Sequence, residues 1–500
     1  MKKNNVVKSS ILVLILSLAA KVLGLVKTTI QATYFGTSTS TDAYNIAYGY
    51  VDDILFMLTT AIATAFVPLY IQRKKGKKEY VFASEAVYGL GIIALGITII
   101  TIIIAPMIIR LTAPTFGKKE IILASNYLRI ISLGFVFSLE ANIYTNLLNA
   151  EKRYGFSTFC SFINSIVLIL GIILFGSKFG VWILAISIPI SFFIQWIFLY
   201  SVGKKYGKIS LTCHIWNDSV KIILSQALPV LIGQATVEIN QAVDRALLSS
   251  VGEGIITAIS YSMILYQFAS TLILAPLQTV MFTELSETGA KKNYNRLSII
   301  IVNCYKIVMF VCIPTMLVIA TTSNDIVKLI FGYGRFTSDA VQNCAFGLSI
   351  YGLCLWPVCL KIVTTRAYYA LNDTRRPMVI GIFEVALNIT LSFITSKRFG
   401  VLGILGSTVV AAVVFIVVMI IDFNKRHVYF FTKESFISMW KYFLGGVCSI
   451  MVIYLLKDIF IFNNLIDFIS KTIIAFSCFA CVLIILKDDT FTKVIKMLKI

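Results

Sequence analysis

Runs of apolar residues long enough to cross a lipid bilayer recur along almost the whole chain, and nothing else in the sequence constrains the fold as much. Gly91 to Ile109 reads GIIALGITIITIIIAPMII, and Ser407 to Ile421 reads STVVAAVVFIVVMII. With their flanks such runs span roughly 30 Å of hydrocarbon as helices, because in lipid each backbone N–H and C=O must be satisfied within its own segment. Composition agrees: 58% of the residues are apolar and 14% charged, unlike a soluble domain. The fold class is therefore an all-α polytopic membrane protein.

Apolar runs between charged or Gly/Asn/Ser-rich breaks predict about 14 transmembrane helices, near residues 9–34, 44–70, 81–109, 124–150, 156–176, 180–202, 219–248, 255–285, 297–320, 340–368, 377–395, 400–422, 436–456 and 464–486. The first run resembles a signal peptide at Ile11 to Ala20, yet it continues apolar through Val26 with Lys21 inside it, so a retained first helix is expected. On this map 26 of the 44 Lys and Arg fall on one side, among them Arg73 to Lys78, Lys152 and Arg153, Lys291 to Arg296 and the two tails. Cytoplasmic loops retain such charge during insertion, so both termini are expected inside a bacterial-type plasma membrane. The net charge of +20 then reflects topology and anionic lipid headgroups; no basic-aromatic pattern points to nucleic acid.

The chain also repeats itself. LNAEKRY (Leu148 to Tyr154) recurs as LNDTRRP (Leu371 to Pro377), and SKFGVWILA (Ser177 to Ala185) recurs as SKRFGVLGI (Ser396 to Ile404). Spans 1–6 thus match spans 7–12 in the same orientation, the pattern of transporters built from parallel repeats. The expected organisation is two pseudo-symmetric six-helix lobes, 1–205 and 206–430, followed by a two-helix segment, 431–500.

Charged side chains inside a membrane normally face a wet cavity or a partner, since each costs roughly 2.5–3.5 kcal/mol at the bilayer centre. Span 1 carries Lys21 and Lys27, with Gln31 one turn beyond, and Asp42 opens span 2. At about 100° per residue the two lysines diverge by about 120°, so they converge on one ligand only if the helix bends, for instance at Gly24. Snorkelling or pairing with an acid is the plainer alternative. In span 7, Gln234, Glu238, Gln241 and Arg245 fall on a single stripe, with Asn240 and Asp244 beside it. Such a stripe should line a cavity, unless Glu238 and Arg245 simply pair. Asp52, Asp53, Glu140, Lys361, Glu384 and Asn388 are further intramembrane polar residues. Glu384 and Asn388, at i and i+4 and together with Asp244, could offer oxygen ligands to a small cation; ordinary interhelical hydrogen bonding explains them as well. Prolines 189, 229, 276, 314 and 357 fall within spans and are expected to kink them.

Other chemistries find no support in the chain. It contains no G-x-x-x-x-G-K-[ST] loop, and its two histidines, His214 and His427, lie in predicted loops. The single C-x-x-C pair, Cys478 and Cys481, sits inside an apolar run and reads as packing. No nucleophile-base pair stands out, which argues against an enzyme.

Five segments in order, AAKVLGLVKTTIQATYFGTSTSTDAYNIAY (Ala19 to Tyr48), AFVPLY (Ala65 to Tyr70), EINQAVDRALLSSVGEGIITAISYS (Glu238 to Ser262), FGYGRFT (Phe331 to Thr337) and ALNDTRRPM (Ala370 to Met378), resemble the MurJ/MviN family. That family shares a superfamily with polysaccharide flippases and multidrug antiporters. The resemblance implies a lipid II flippase that carries an undecaprenyl-diphosphate-linked saccharide to the outer leaflet by alternating access. It also implies a basic central cavity, a lipid-tail groove on the last two helices, and membrane lipids and cell-wall synthesis enzymes as partners. The family's two span-1 arginines fall on Lys21 and Lys27, and its aspartate after the first outer loop falls on Asp42. A sodium site described in some members, the one cofactor implied, maps to Asp244, Glu384, Asn388 and Thr408. The chain departs from the family at VDDILF (Val51 to Phe56), where acids and apolar residues replace a pair of arginines, and near Ile264, where no charge stands. Another lipid-linked oligosaccharide, of capsule, exopolysaccharide or teichoic type, is therefore an alternative cargo. A cation-coupled multidrug antiporter of the same architecture is a second alternative.

Overall fold

The computed structural model describes residues 2–74, 79–207, 217–291, 293–426, 433–456, 464–488 and 491. Lys75, Lys77, Lys78, Lys208 and Lys292, as well as His214 and His427, lie outside the described residues. The helices run in chain order: α1 (Lys2–Phe35), α2 (Thr39–Tyr50), a π-helical turn (Val51–Phe56), α3 (Met57–Lys74), α4 (Glu79–Thr112), α5 (Lys118–Ser132), α6 (Gly134–Ala150), α7 (Tyr154–Phe179), α8 (Trp182–Gly207), α9 (Asp218–Leu248), α10 (Ile255–Ala290), α11 (Tyr294–Phe331), α12 (Ser338–Leu353), α13 (Leu355–Ala370), α14 (Arg375–Phe399), α15 (Val401–Arg426), α16 (Lys433–Leu455) and α17 (Asn464–Ile485). Among the described residues 12 helical segments are long and apolar enough to cross a membrane, and α9, bent by 42° between Ala235 and Glu238, makes a thirteenth. The expected first span corresponds to α1, in which most side chains before Leu18 lie outside the described residues.

Helix boundaries follow local chemistry. Ser38 and Thr41 form a reciprocal cap at the start of α2, with Ser38 N–H donating to Thr41 Oγ1 at 2.7 Å. Asn217, Asn293 and Thr337 cap α9, α11 and α12 one way, each side-chain oxygen accepting from an amide that no helical carbonyl reaches. The duplication is written into the backbone at matching turns. Lys152 and Asn372, 220 residues apart, both adopt φ 60° after α6 and α13. Gly180 (φ 55°) and Gly400 (φ 53°) both end a helix in the left-handed region, which glycine enters without steric cost. Those two glycines close the recurring segments S-K-F-G and S-K-R-F-G. The expected kinks are less regular: α8, α9 and α11 continue through Pro189, Pro229 and Pro314, and the bend of α9 falls beyond its proline.

The chain packs as two compact units, Met1–Thr257 with Gly334–Phe336, and Ala258–Tyr333 with Thr337–Ile500. Repeat and packing thus divide it differently. The boundary expected after residue 205 follows the duplication, whereas α9 packs on α3 and α4 of the first unit, where Thr60 Oγ1 donates to Gln234 Oε1 at 3.1 Å and Ser219 Oγ to Glu85 Oε2 at 2.5 Å. In the first unit Phe66 stacks between Tyr70 and Phe82, and Tyr127 meets the edge of Trp182 at 4.8 Å. The second unit centres on α11, against which α13, α16 and α17 bury Tyr305, Tyr368, Tyr442, Phe479 and Leu483. Helices α16 and α17, expected as an appendage, pack into that core. A Cβ on Gly446 would stand 2.4 Å from Leu317 Cδ1, so the small residue sets the close approach of α16. Lys471 Nζ on α17 meets Asp325 Oδ2 on α11 at 2.6 Å.

Candidate functional site

Two cavities open side by side in the first unit, on either side of the π-helical turn. A π turn places one extra residue in the helical ladder, a distortion that recurs at functional sites. Here it sends the neighbouring carboxylates Asp52 and Asp53 to different places. Asp52 lines a cavity of about 400 Å³ with Phe56, Met57, Thr60, Gly233, Gln234 and Glu238. Asp53 lines a smaller one of about 140 Å³ with Ile46, Tyr50, Thr112 and Arg245.

Three of the four span-7 stripe residues, Gln234, Glu238 and Arg245, line cavities, divided between the two. Gln234 and Glu238 face the larger, and Gln241 Nε2 donates to Glu238 Oε2 at 3.3 Å. Arg245 faces the smaller and forms an ion pair with the buried Asp53 on the neighbouring helix. The sequence suggested Glu238 as its partner; that pairing would lie along one helix, while the observed one joins two. Gly49 makes room for it, because a Cβ there would stand 2.8 Å from the Arg245 guanidinium carbon. Arg245 therefore offers this cavity a neutralised cation, not the free one that an anionic cargo would need.

The span-1 candidates separate. Helix α1 runs unbroken through Gly24, so Lys21 is exposed on one face while half-buried Lys27 leaves another and comes within electrostatic reach of Asp52. Gln31 is buried. Asp52 also feels Arg245, and Glu238 and Tyr48 lie within reach of Asp52. Around the two cavities three carboxylates, Asp52, Asp53 and Glu238, thus face two cations, Lys27 and Arg245. That balance is more acidic than the basic cavity implied by the family resemblance.

Asp42 has a different occupation. Its Oδ2 accepts from Gly254 N–H at 2.6 Å, and its Oδ1 accepts from Thr257 N–H at 2.8 Å and Thr257 Oγ1 at 2.6 Å. It is buried and caps the first turn of α10, where a carboxylate is stabilised by unpaired amides and the helix dipole. Around it the α1–α2 turn, the α9–α10 turn and Gly334–Phe336 are knitted together. Arg335 N–H donates to Thr33 O at 2.9 Å, and Thr39 N–H donates to Glu253 Oε1 at 3.0 Å. The hydroxyl and amide of Thr39 hold the Glu253 carboxyl below its usual range. Sequence reasoning missed Gly49, Thr60 and Glu253, since a lone glycine, threonine or loop glutamate carries no pattern.

The residues expected to hold sodium fall in both units. Asp244 lies half-buried on α9 and has partners of its own. In the second unit Glu384 Oε2 accepts from Lys361 Nζ at 2.5 Å, and that ammonium also lies 4.3 Å from the Phe415 ring centre. Asn388 Nδ2 donates to Thr408 Oγ1 at 3.1 Å, and Asn388 Oδ1 accepts from Ser392 Oγ at 3.0 Å. Asn388 and Thr408 do come together, but a hard cation needs several free oxygens. The set does not fit sodium: its carboxylate is already neutralised and its amide oxygen already engaged. No group of three or more His, Cys, Asp or Glu suited to a metal occurs among the described residues.

Comparison with known proteins finds a family model, "Lipid II flippase MurJ", matching residues 31–476. A relative from Borreliella burgdorferi described as a probable lipid II flippase MurJ is 22% identical over 502 residues, covering 94% of this chain and 99% of the relative. A solved structure, "Lipid II flippase MurJ, inward closed conformation", superposes with a TM-score of 0.83 at 24% identity, covering 96% of this chain and 99% of that one, and is similar in fold. An inward-facing multidrug transporter of the MATE family is a more distant fold relative, with a TM-score of 0.69, 15% identity and coverage of 82% and 97%.

Proposed function

This chain belongs to the MurJ lipid II flippase family, and from that premise we propose that it carries lipid II from the cytoplasmic to the outer leaflet by alternating access. The family match over residues 31–476 is the observation that carries the reading. The protein is a multi-pass membrane transporter, and its basic loops support cytoplasmic termini. Lys27, within reach of the Asp52 cavity, attracts the diphosphate, and Lys21 adds positive charge from another face of α1. Each is a point charge without the two-pronged fork of an arginine, so the attraction is less directional. Arg245 acts through Asp53, holding α9 against the π-helical turn. The knitted turns around Asp42 are expected on the side opposite the basic loops. Cell-wall synthesis enzymes are the expected partners on the outer side. Membrane potential could drive the cycle, since each charge crossing 100 mV is worth about 2.3 kcal/mol.

The test is outer-leaflet exposure of lipid II in cells depleted of their own flippase. The chain is expected to restore exposure and growth, and Lys21→Ala/Lys27→Ala to abolish both while still inserting. Unchanged flipping by that double variant would remove the role given to the lysines. The acids of VDDILF, standing where the family resemblance places arginines, favour one second reading, a different lipid-linked saccharide as cargo. Failure to rescue the lipid II strain together with rescue of a capsule-flippase mutant would select it.

A further inference from the structure

We infer that Lys361 is the resident cation of the Glu384–Asn388–Thr408 cluster, so that this chain takes up no coupling sodium there. An ionised carboxylate within a membrane is costly unless a positive charge or hydrogen-bond donors accompany it. Glu384, on α14, receives that charge from α13, where Lys361 Nζ stands 2.5 Å from Glu384 Oε2. The face of Phe415, on α15, lies 4.3 Å from the same nitrogen and stabilises it through the ring quadrupole. Three helices thus converge on one ammonium, as they would on a bound ion, but this ion is tethered to the backbone.

The remaining donors are arranged for a site already neutral. Asn388, buried, turns its amide N–H towards Thr408 Oγ1 and receives Ser392 Oγ on its carbonyl oxygen. A sodium ion would have to share that carbonyl oxygen with the hydroxyl, compete with a hydrogen-bonded ammonium for the same carboxylate and sit beside a like charge. Asp244, the fourth residue of the expected set, belongs to the first unit. A tethered cation also differs in consequence: it cannot leave during a transport cycle, so it carries no gradient energy. The identity of the cargo plays no part in this, and sodium binding can be read without flipping.

Thermal unfolding of the full-length protein in detergent, at constant ionic strength with sodium replaced by potassium or choline, tests it. The wild type is expected to show no sodium-specific shift in Tm. Lys361→Met, which keeps the apolar stem and removes the charge, is expected to gain a sodium-specific rise that disappears in Lys361→Met/Glu384→Gln. A sodium-specific rise in the wild type that Glu384→Gln abolishes would overturn the assignment, as would a folded Lys361→Met without any sodium response. Should Lys361→Met fail to fold, recovery in the double variant supports the pairing. Failure of the double variant as well refutes it, because neutralising Glu384 would then not be what Lys361 does.

Discussion

The charged residues around the π-helical turn and those around Lys361 answer the same physical problem in opposite ways. Around the turn, the Arg245–Asp53 pair and the Lys27–Asp52 neighbourhood border two cavities, and Asp52 and Glu238 face open space. At Lys361, one ammonium, one carboxylate and one aromatic face close on each other. The first arrangement keeps excess acid available to a ligand; the second leaves the carboxylate none to offer. Charge inside a membrane therefore marks a working site only where a cavity keeps its partners incomplete.

The largest effect should come from breaking the pair beside the smaller cavity. Asp53→Ala removes the ion-pair partner of the Arg245 guanidinium and is expected to cost about 3–5 kcal/mol, read as a loss of Tm in detergent. Replacing both partners, as in Asp53→Leu/Arg245→Met, should recover most of that stability. If the single variant is neutral, this cavity is wetter than its burial implies and the contrast with Lys361 fails. Gly49→Ala sharpens the same point, since its methyl would stand 2.8 Å from the guanidinium. A loss of about 1–3 kcal/mol is expected, and Gly49→Ala should add little once Arg245 is methionine.

Asp42→Ala should cost about 1–2 kcal/mol by uncapping α10, with Asp42→Asn costing less because the amide oxygen still accepts. If Asp42→Asn instead abolishes transport with Tm unchanged, the residue contacts cargo. The smallest effect belongs to exposed Glu253. Its carboxyl titrates below the usual glutamate value near 4.3 when folded, so its contribution is present above that value and lost as pH falls through the folded one. Glu253→Gln should remove this pH dependence below the usual glutamate value and cost less than about 1 kcal/mol at neutral pH, by thermal melts from neutral into acid.

Much of the architecture was legible in the residues. The expected spans coincide with helices to within several residues except where the helices run on past their apolar stretch, as α11 does to Phe331. The candidate site was legible in part. Most of the α9 stripe lines cavities as its periodicity implied, because a polar face on an apolar helix has nowhere else to go. Its division between two cavities was not legible, since it depends on a π turn in another helix. The capping role of Asp42 was not legible for a related reason: a carboxylate near a loop looks the same whether it awaits a substrate or caps a helix 212 to 215 residues away.

The sequence by itself determined the membrane-spanning helices, their repeat and the asymmetry of their loops. These depend on hydrophobic length, on glycine's access to left-handed backbone and on the placement of Lys and Arg, all readable within one segment. Only the tertiary structure decided which charges remain available. Arg245 finds Asp53, Asp42 finds the α10 amides and Lys361 finds Glu384, each across helices whose spacing no local pattern encodes. Coulomb energy in a low-dielectric interior depends on a few ångströms of separation, and that distance exists only once the helices have packed.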